Sequence, residues 1–269
     1  MPTLTSLTIY PLKSSAGLPL THATVEPLGI QYDRRWLAVR PDGSFMTGRE
    51  LPALVRVRAV PGPSGLRLSA PGMPDLEVPV PPVASAPRLD VTVWNDTCSA
   101  ARANGDADRW LSEYLGQPTL LVHMDERTQR PVDPKYARPE DRVAFPDGYP
   151  LLLISEASLA DLNQRLATPV PMTRFRPNLV VNGCGAFAED GWKRLRIGTV
   201  ELEVVKPCAR CVFTTVDPET AKADPAQEPL RTLTTYRRIL PGKGVMFGQN
   251  VLIRRSGELR VGDAVEVLE

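Results

Sequence analysis

The stretch KPCARCVFTTVDPET, Lys206 to Thr220, sets two of the chain's four cysteines three residues apart, with cations close by and a β-branched run behind them. Two thiols so placed could be a redox dithiol, half of a zinc site, a ligand to some other metal, or two residues of a core. A redox Cys-x-x-Cys works from the first turn of a helix, where free amides and the dipole favour thiolate. Here VFTTVDP follows Cys211, which favours a strand or strand-entering loop ending in an Asp-Pro turn. A structural zinc site needs four Cys or His ligands, usually in close pairs, whereas Cys98, Cys184, His22 and His123 stand isolated. On an extended strand, positions 208 and 211 face opposite sides of the sheet, so one ion takes both only if the strand bends. A single thiolate on a metal otherwise held by its own organic cofactor would satisfy that geometry. Lys206 and Arg210 bring cations to both thiols, which favours thiolate and suits an anionic ligand.

The rest of the chain limits the partners. Among 269 residues, 32 Lys and Arg nearly cancel 31 Asp and Glu, so no global positive field exists to hold nucleic acid or an anionic membrane. An anion site has to be assembled locally. The opening MPTLTSLTIYPLKSS lacks the charged and continuously apolar regions of a signal peptide, and nowhere do about 18 uncharged apolar residues run together. With so few cysteines there is no secreted disulfide framework, and a cytoplasmic protein with reduced thiols is expected.

The elements that position these residues read as short strands between turns. LTSLTIYPL, ATVEPLG, WLAV and SFMT around Pro41-Asp42-Gly43, LVRVRAV, GLRLSA and RLDVTVWND all carry strand patterns. The proline-rich stretch 71–87 should be irregular or an edge, because proline cannot donate to a central ladder. ADRWLSEYLG, 107–116, reads as a short helix ended by Gly116. A domain boundary near 118 is expected, followed by a polar loop at 125–142 long enough to be functional. SEASLADLNQRL, 155–166, is the clearest helix, with Ser155 as its N-cap. RLRIGTVELEVV reads as a hairpin at Gly198-Thr199, and GELRVGDAVEVLE as another at Gly262-Asp263. Many strands and few helices indicate a mainly β fold of barrels or sandwiches.

Taken jointly, YPLKS at 10–14, DRRWL at 33–37, SEASLADLN at 155–163, FRPNLVVNGC at 175–184, AEDGW at 188–192, the cysteine stretch and FGQN at 247–250 resemble the MOSC proteins. Within that family they are similar to the amidoxime-reducing and bacterial YcbX-like branch, in the same order over nearly the whole chain. The resemblance implies a MOSC N-terminal β-barrel domain at 1–118 and a MOSC β-barrel domain with a few helices at 119–269. It further implies a molybdenum cofactor, a molybdenum-pyranopterin dithiolene, held between them.

By that resemblance Cys211 is the molybdenum ligand and catalytic position, and Cys208 a packing neighbour. A third sulfur beside the dithiolene pair suits a soft metal. Lys13, Ser14, Arg34 and Arg176 match family positions that hold the cofactor, and arginine grips phosphate bidentately. Asn178 matches an inner-site or pterin contact, as does Asp147, although Gly148 and Tyr149 stand where hydroxyl-bearing residues are expected. Ala221 replaces an expected glycine after DPxT. Ser155, Ser158 and Asp217 read as capping and turn residues rather than site residues. The implied activity is two-electron reduction of N-hydroxylated compounds such as amidoximes, hydroxylamines and N-hydroxylated base analogues. No cysteines remain for a ferredoxin-type iron-sulfur domain, so a separate electron donor of ferredoxin or flavoprotein type is expected, with no nucleic acid or membrane partner. The alternative is a molybdenum-cofactor or sulfur carrier without turnover.

Overall fold

The computed structural model describes residues 1–238 and 244–269. Strand makes up 39% of it and helix 16%, which fixes the class as mainly β. The largest sheet has eight strands, in the order Val265–Val267, Arg194–Ile197, Val200–Arg210, Val245–Arg255, Leu151–Ser155, Leu179–Asn182, Thr3–Ile9 and Leu18–Leu20. Its one parallel pair, Leu151–Ser155 with Leu179–Asn182, is joined through the helix Glu156–Asn163, because parallel neighbours need a crossover. A four-stranded sheet runs Trp36–Val39, Leu120–His123, Asp96–Arg102 and Arg88–Val93. Two three-stranded sheets complete the set, one of Arg58–Gly62, Gly65–Ser69 and Leu76–Pro79, the other of Gly257–Arg260, His22–Glu26 and Gly29–Ile30.

The N- and C-terminal segments interleave. Thr3–Ile9 pairs antiparallel with Leu179–Asn182, and His22–Glu26 pairs with Gly257–Arg260. Leu4, Leu7 and Ile9 thereby share one core with Leu153, Leu179, Leu202 and Val251, all 0–2% exposed. A second core gathers Trp36, Met46, Leu54, Leu66 and Leu111 under the helix Gly105–Leu115. That helix is capped by Asn104, whose side chain accepts from the Ala107 amide, and stops at Gly116 with φ 67°, a conformation glycine adopts without Cβ strain.

Several expected strands give way to other structure. LVRVRAV begins as a 3-10 turn over Pro52–Arg56, with proline suited to its first position, and only Arg58–Gly62 is strand. SFMT does form the expected hairpin with WLAV, through the Val39–Phe45 bridge and the Arg40–Ser44 and Met46–Ala38 backbone hydrogen bonds, but it is short and the chain leaves the sheet after Met46. The two arms of GELRVGDAVEVLE turn where expected but join different sheets, Gly257–Arg260 with His22–Glu26 and Val265–Val267 with Arg194–Ile197. The proline-rich segment supplies only the edge strand Leu76–Pro79.

Asp217 is the turn former expected of it. Its carboxylate accepts from the Glu219 and Thr220 amides, at 2.8 and 3.0 Å, and Arg174 adds a 3.2 Å contact. Ala221 takes the left-handed conformation its missing glycine would have held, at φ 59°. A Cβ there costs about 1–2 kcal/mol. Ala221→Gly should therefore raise unfolding stability by roughly 0.5–1 kcal/mol in denaturant melts, the added chain entropy of glycine cancelling the rest. A loss of stability would show that the turn is not strained.

Candidate functional site

The seven residues named from sequence all line one open cavity. Three of them, Ser14 at φ 69°, Arg34 at 47° and Arg176 at 57°, hold left-handed backbone. Such conformations are costly for residues with side chains and persist only where surroundings fix them. The fixing contacts are visible. The Arg34 amide donates to the Tyr10 carbonyl at 2.9 Å, and the buried Asp33 carboxylate accepts from the Tyr10 amide at 2.7 Å and from Arg34 Nη1 at 2.6 Å. The Tyr10 ring lies beneath both guanidiniums, 4.5 Å from that of Arg34 and 4.0 Å from that of Arg176.

Asn178 is 1% exposed and fully engaged: Oδ1 accepts from Arg34 Nη1 at 3.0 Å and the Leu152 amide at 3.2 Å, and Nδ2 donates to the Thr8 carbonyl at 3.1 Å. It ties three strands together under the cavity and holds Arg34 in place. Lys13 Nζ donates to the Phe145 carbonyl at 2.8 Å and to Asp147 Oδ1 at 2.6 Å. The segment carrying Asp147 is held by Arg130, a fully buried side chain from the long polar loop, which donates to the carbonyls of Ala144, Pro146 and Asp147. That loop thus supports the site from beneath.

The cysteines are distinguished by their partners rather than by the face of the strand. Cys208 lies at a bulge between Pro207 and Ala209 in Val200–Arg210, and Cys211 follows the strand as the cap of the turn Val212–Thr215. The bulge breaks the alternation on which an opposite-face placement rests, and both residues line the cavity. Arg210 Nη1 donates to Cys208 Sγ at 3.1 Å, and Cys208 packs against a core with Phe175 and Phe247. Arg49 Nε donates to Cys211 Sγ at 3.1 Å. Lys206 lines a neighbouring hollow together with Cys208. Its ammonium lies over Tyr136 and Tyr149, 5.1 and 6.0 Å from the ring centroids.

Arg49 is the main contact that sequence reasoning missed. It arrives because the chain leaves the sheet after Met46, and it bridges Cys211 to Asp147 through Nη2, 2.8 Å from Oδ2. Burial would raise the Asp147 carboxyl, but the Lys13 ammonium and the Arg49 guanidinium outweigh it and hold it well below the usual carboxylate range. Its side chain is 57% exposed, so water screens both pairs and they orient the site more than they stabilise the fold.

Six cations line the cavity, namely Lys13, Arg34, Arg49, Arg174, Arg176 and Arg210, against Asp147 as the one carboxylate among the described lining residues. In a chain of net charge +1 this is the local concentration an anion requires. Arg176 Nη2, Arg174 Nε and Arg210 Nε are buried with no partner in the protein. Burial pushes Arg176 down to about 10, so it stays charged at neutral pH. Orphaned buried guanidinium nitrogens fit the phosphate of a cofactor, and the Cys211 thiol fits a soft metal. Among the described residues no group of three His, Cys, Asp or Glu side chains could hold a metal by itself.

Burial lowers Lys13 from 10.5 to about 8, partly offset by Asp147. Its folded value lies below its unfolded one, so the charged form costs stability at neutral pH, and that cost is relieved as pH rises from about 8 toward 10.5. Binding of inorganic phosphate to cofactor-free protein should therefore weaken as pH rises through about 8, and titration calorimetry from pH 7 to 9 reads this. A flat profile would remove Lys13 from the anion's contacts.

Comparison with known proteins agrees with the geometry. Residues 1–118 match the MOSC N-terminal beta barrel domain and residues 140–266 the MOSC domain. The chain is 40% identical over 281 aligned residues to mitochondrial amidoxime-reducing component 1 of Mus musculus, covering 99% of this chain and 82% of that protein. It is 38% identical to the Homo sapiens counterpart, covering 99% and 83%. It is 36% identical to mitochondrial amidoxime reducing component 2 of Bos taurus, covering 98% and 82%. With two domain matches in sequence and this extent of likeness, the chain belongs to the MOSC family.

Proposed function

We propose that this protein is a molybdenum-cofactor-dependent reductase of N-hydroxylated compounds, with Cys211 as the protein ligand to molybdenum. The observation that carries the reading is a thiol at the edge of a cavity whose buried guanidinium nitrogens lack partners. The names of the relatives point the same way. The bound cofactor would supply a two-electron centre that accepts the substrate's oxygen. The protein's part is positional. Lys13, Ser14, Arg34 and Arg176, with Asp147 and Asn178, would hold the cofactor, Lys13 and Arg176 as cations toward its phosphate. Arg174 and Arg210 add guanidinium donors on the same wall. Arg49, donating to the Cys211 sulfur, would hold it in place at the cavity.

In balance, an N–OH group takes up two electrons and two protons and leaves as N–H and water, the electrons arriving from a separate donor protein of ferredoxin or flavoprotein type. Segments 1–118 and 119–269 would act as the two domains that enclose the cofactor, in a cytoplasmic protein. Among the described residues no helix is long and apolar enough to cross a membrane.

Protein made in a cofactor-producing host should carry about one molybdenum per chain and reduce benzamidoxime with an artificial electron donor. Stoichiometric zinc would overturn the assignment. Molybdenum without turnover of any N-hydroxylated compound would leave a cofactor carrier.

A further inference from the structure

A second hollow opens beside the first, sharing Asp147, Gly148, Tyr149, Cys208, Ala209 and Asn250 with it. It continues outward between Trp94, Pro131, Pro134 and Pro207. The two spaces differ in charge. The inner one holds six cations, whereas the outer has Lys206, seated on tyrosine rings, together with Asp96, Asp133 and the shared Asp147. An anionic group therefore favours the inner cavity. What enters from outside meets flat apolar walls and carboxylates, which suits an uncharged planar molecule.

Trp94 is the feature of this hollow that the proposed chemistry does not use. It is 47% exposed. It sits in the two-residue turn between Arg88–Val93 and Asp96–Arg102, with φ 59°. Asn or Gly suits such a turn, and a bulky residue there is strained. The ring is also locked in orientation. The Arg49 guanidinium lies 4.5 Å from its centroid, and Phe45 meets it edge-on at 5.1 Å and 61°. Its remaining surface lines the outer hollow. Through Arg49 the indole is two contacts from Cys211 Sγ.

We infer that the outer hollow seats the substrate, and that Trp94 selects planar aromatic N-hydroxylated compounds by stacking on their ring while the N–OH end reaches toward Cys211. This rests on the reductase reading above. Aryl amidoximes and N-hydroxylated heteroaromatic bases are then preferred over small aliphatic ones, because only a flat ring gains the stacking contact. The strained turn presents the ring to the hollow.

The test is the ratio of kcat/KM for benzamidoxime to that for acetamidoxime in the cofactor-loaded protein. Trp94→Ala should lower this ratio roughly five- to tenfold, and Trp94→Phe should hold it within about twofold of the original. The ratio does not depend on what fraction of the protein is folded or loaded, so a weakened turn cannot imitate the effect. Benzamide, planar and uncharged but without an N–OH bond, should bind the same protein and lose about tenfold in affinity in Trp94→Ala by titration calorimetry. Unchanged ratios and unchanged benzamide affinity would overturn the inference. Absence of reductase activity from the parent protein would instead overturn the reading it rests on, and benzamide binding would still decide the role of Trp94.

Discussion

Cys211→Ala is expected to abolish molybdenum retention and benzamidoxime reduction together, whereas Cys208→Ala keeps both. The two thiols are three residues apart and line the same cavity, so neither spacing nor exposure separates them. Their partners do. Cys211 receives a hydrogen bond from Arg49, which reaches it across the cavity and is itself anchored by Asp147. Cys208 receives one from Arg210 on its own strand and leans on an apolar cluster. Loss of a metal-binding thiolate should remove at least about 100-fold of activity, while loss of a neighbouring contact costs far less, within roughly tenfold. Metal analysis and turnover on the same preparations read both effects. Equal loss from the two variants would mean that the thiols act as a pair, and the single-ligand assignment would fall.

Arg176→Met should weaken phosphate binding to the cofactor-free protein by roughly 10- to 100-fold, the size expected for a charge-assisted hydrogen bond. Nη1 of this residue is used, donating to the Ser15 carbonyl at 2.7 Å, but Nη2 is buried without a partner. A guanidinium held in that state costs stability, as the direction of its titration shows. Methionine keeps an apolar stem over the Tyr10 ring while removing the charge, so the thermal midpoint should hold or rise even as anion affinity falls. Unchanged phosphate affinity would show that the orphaned nitrogen faces no ligand.

How far the sequence carried depended on whether a feature was local. The Ser155 cap, the Gly116 stop and the turn at Gly198 are written in adjacent residues and appear as expected, while the helix expected over 155–166 forms but ends early, at Asn163. Features set by distant partners do not appear in it. Nothing in SFMTGRE announces that the hairpin ends at Met46 and that the chain then delivers Arg49 to a thiol 162 positions later. The alternation rule misplaces Cys208 because a bulge is a property of two paired strands, and only one of them was in view. Likewise the final hairpin obeys its turn signal, but which sheet each arm joins depends on residues near the start of the chain. The candidate site residues were legible only as a set, since each lone Lys-Ser or Arg-Arg reads as solvated surface. In three dimensions the set converges, and three of its members are held in left-handed backbone that no propensity would assign them.

The interleaving of the sheets has a consequence for the order of synthesis. Thr3–Ile9 leaves the ribosome well before the strand it lies against, Leu179–Asn182, which comes some 170 residues later. At about 5–20 residues per second the first strand waits roughly ten seconds or more with its apolar face uncovered. The arginines and cysteines from 174 to 211 are later still. Any ligand of the cavity therefore meets a complete site only after residue 211 has been made, and until the middle of the chain arrives Thr3–Ile9 lacks the neighbour that covers its apolar face.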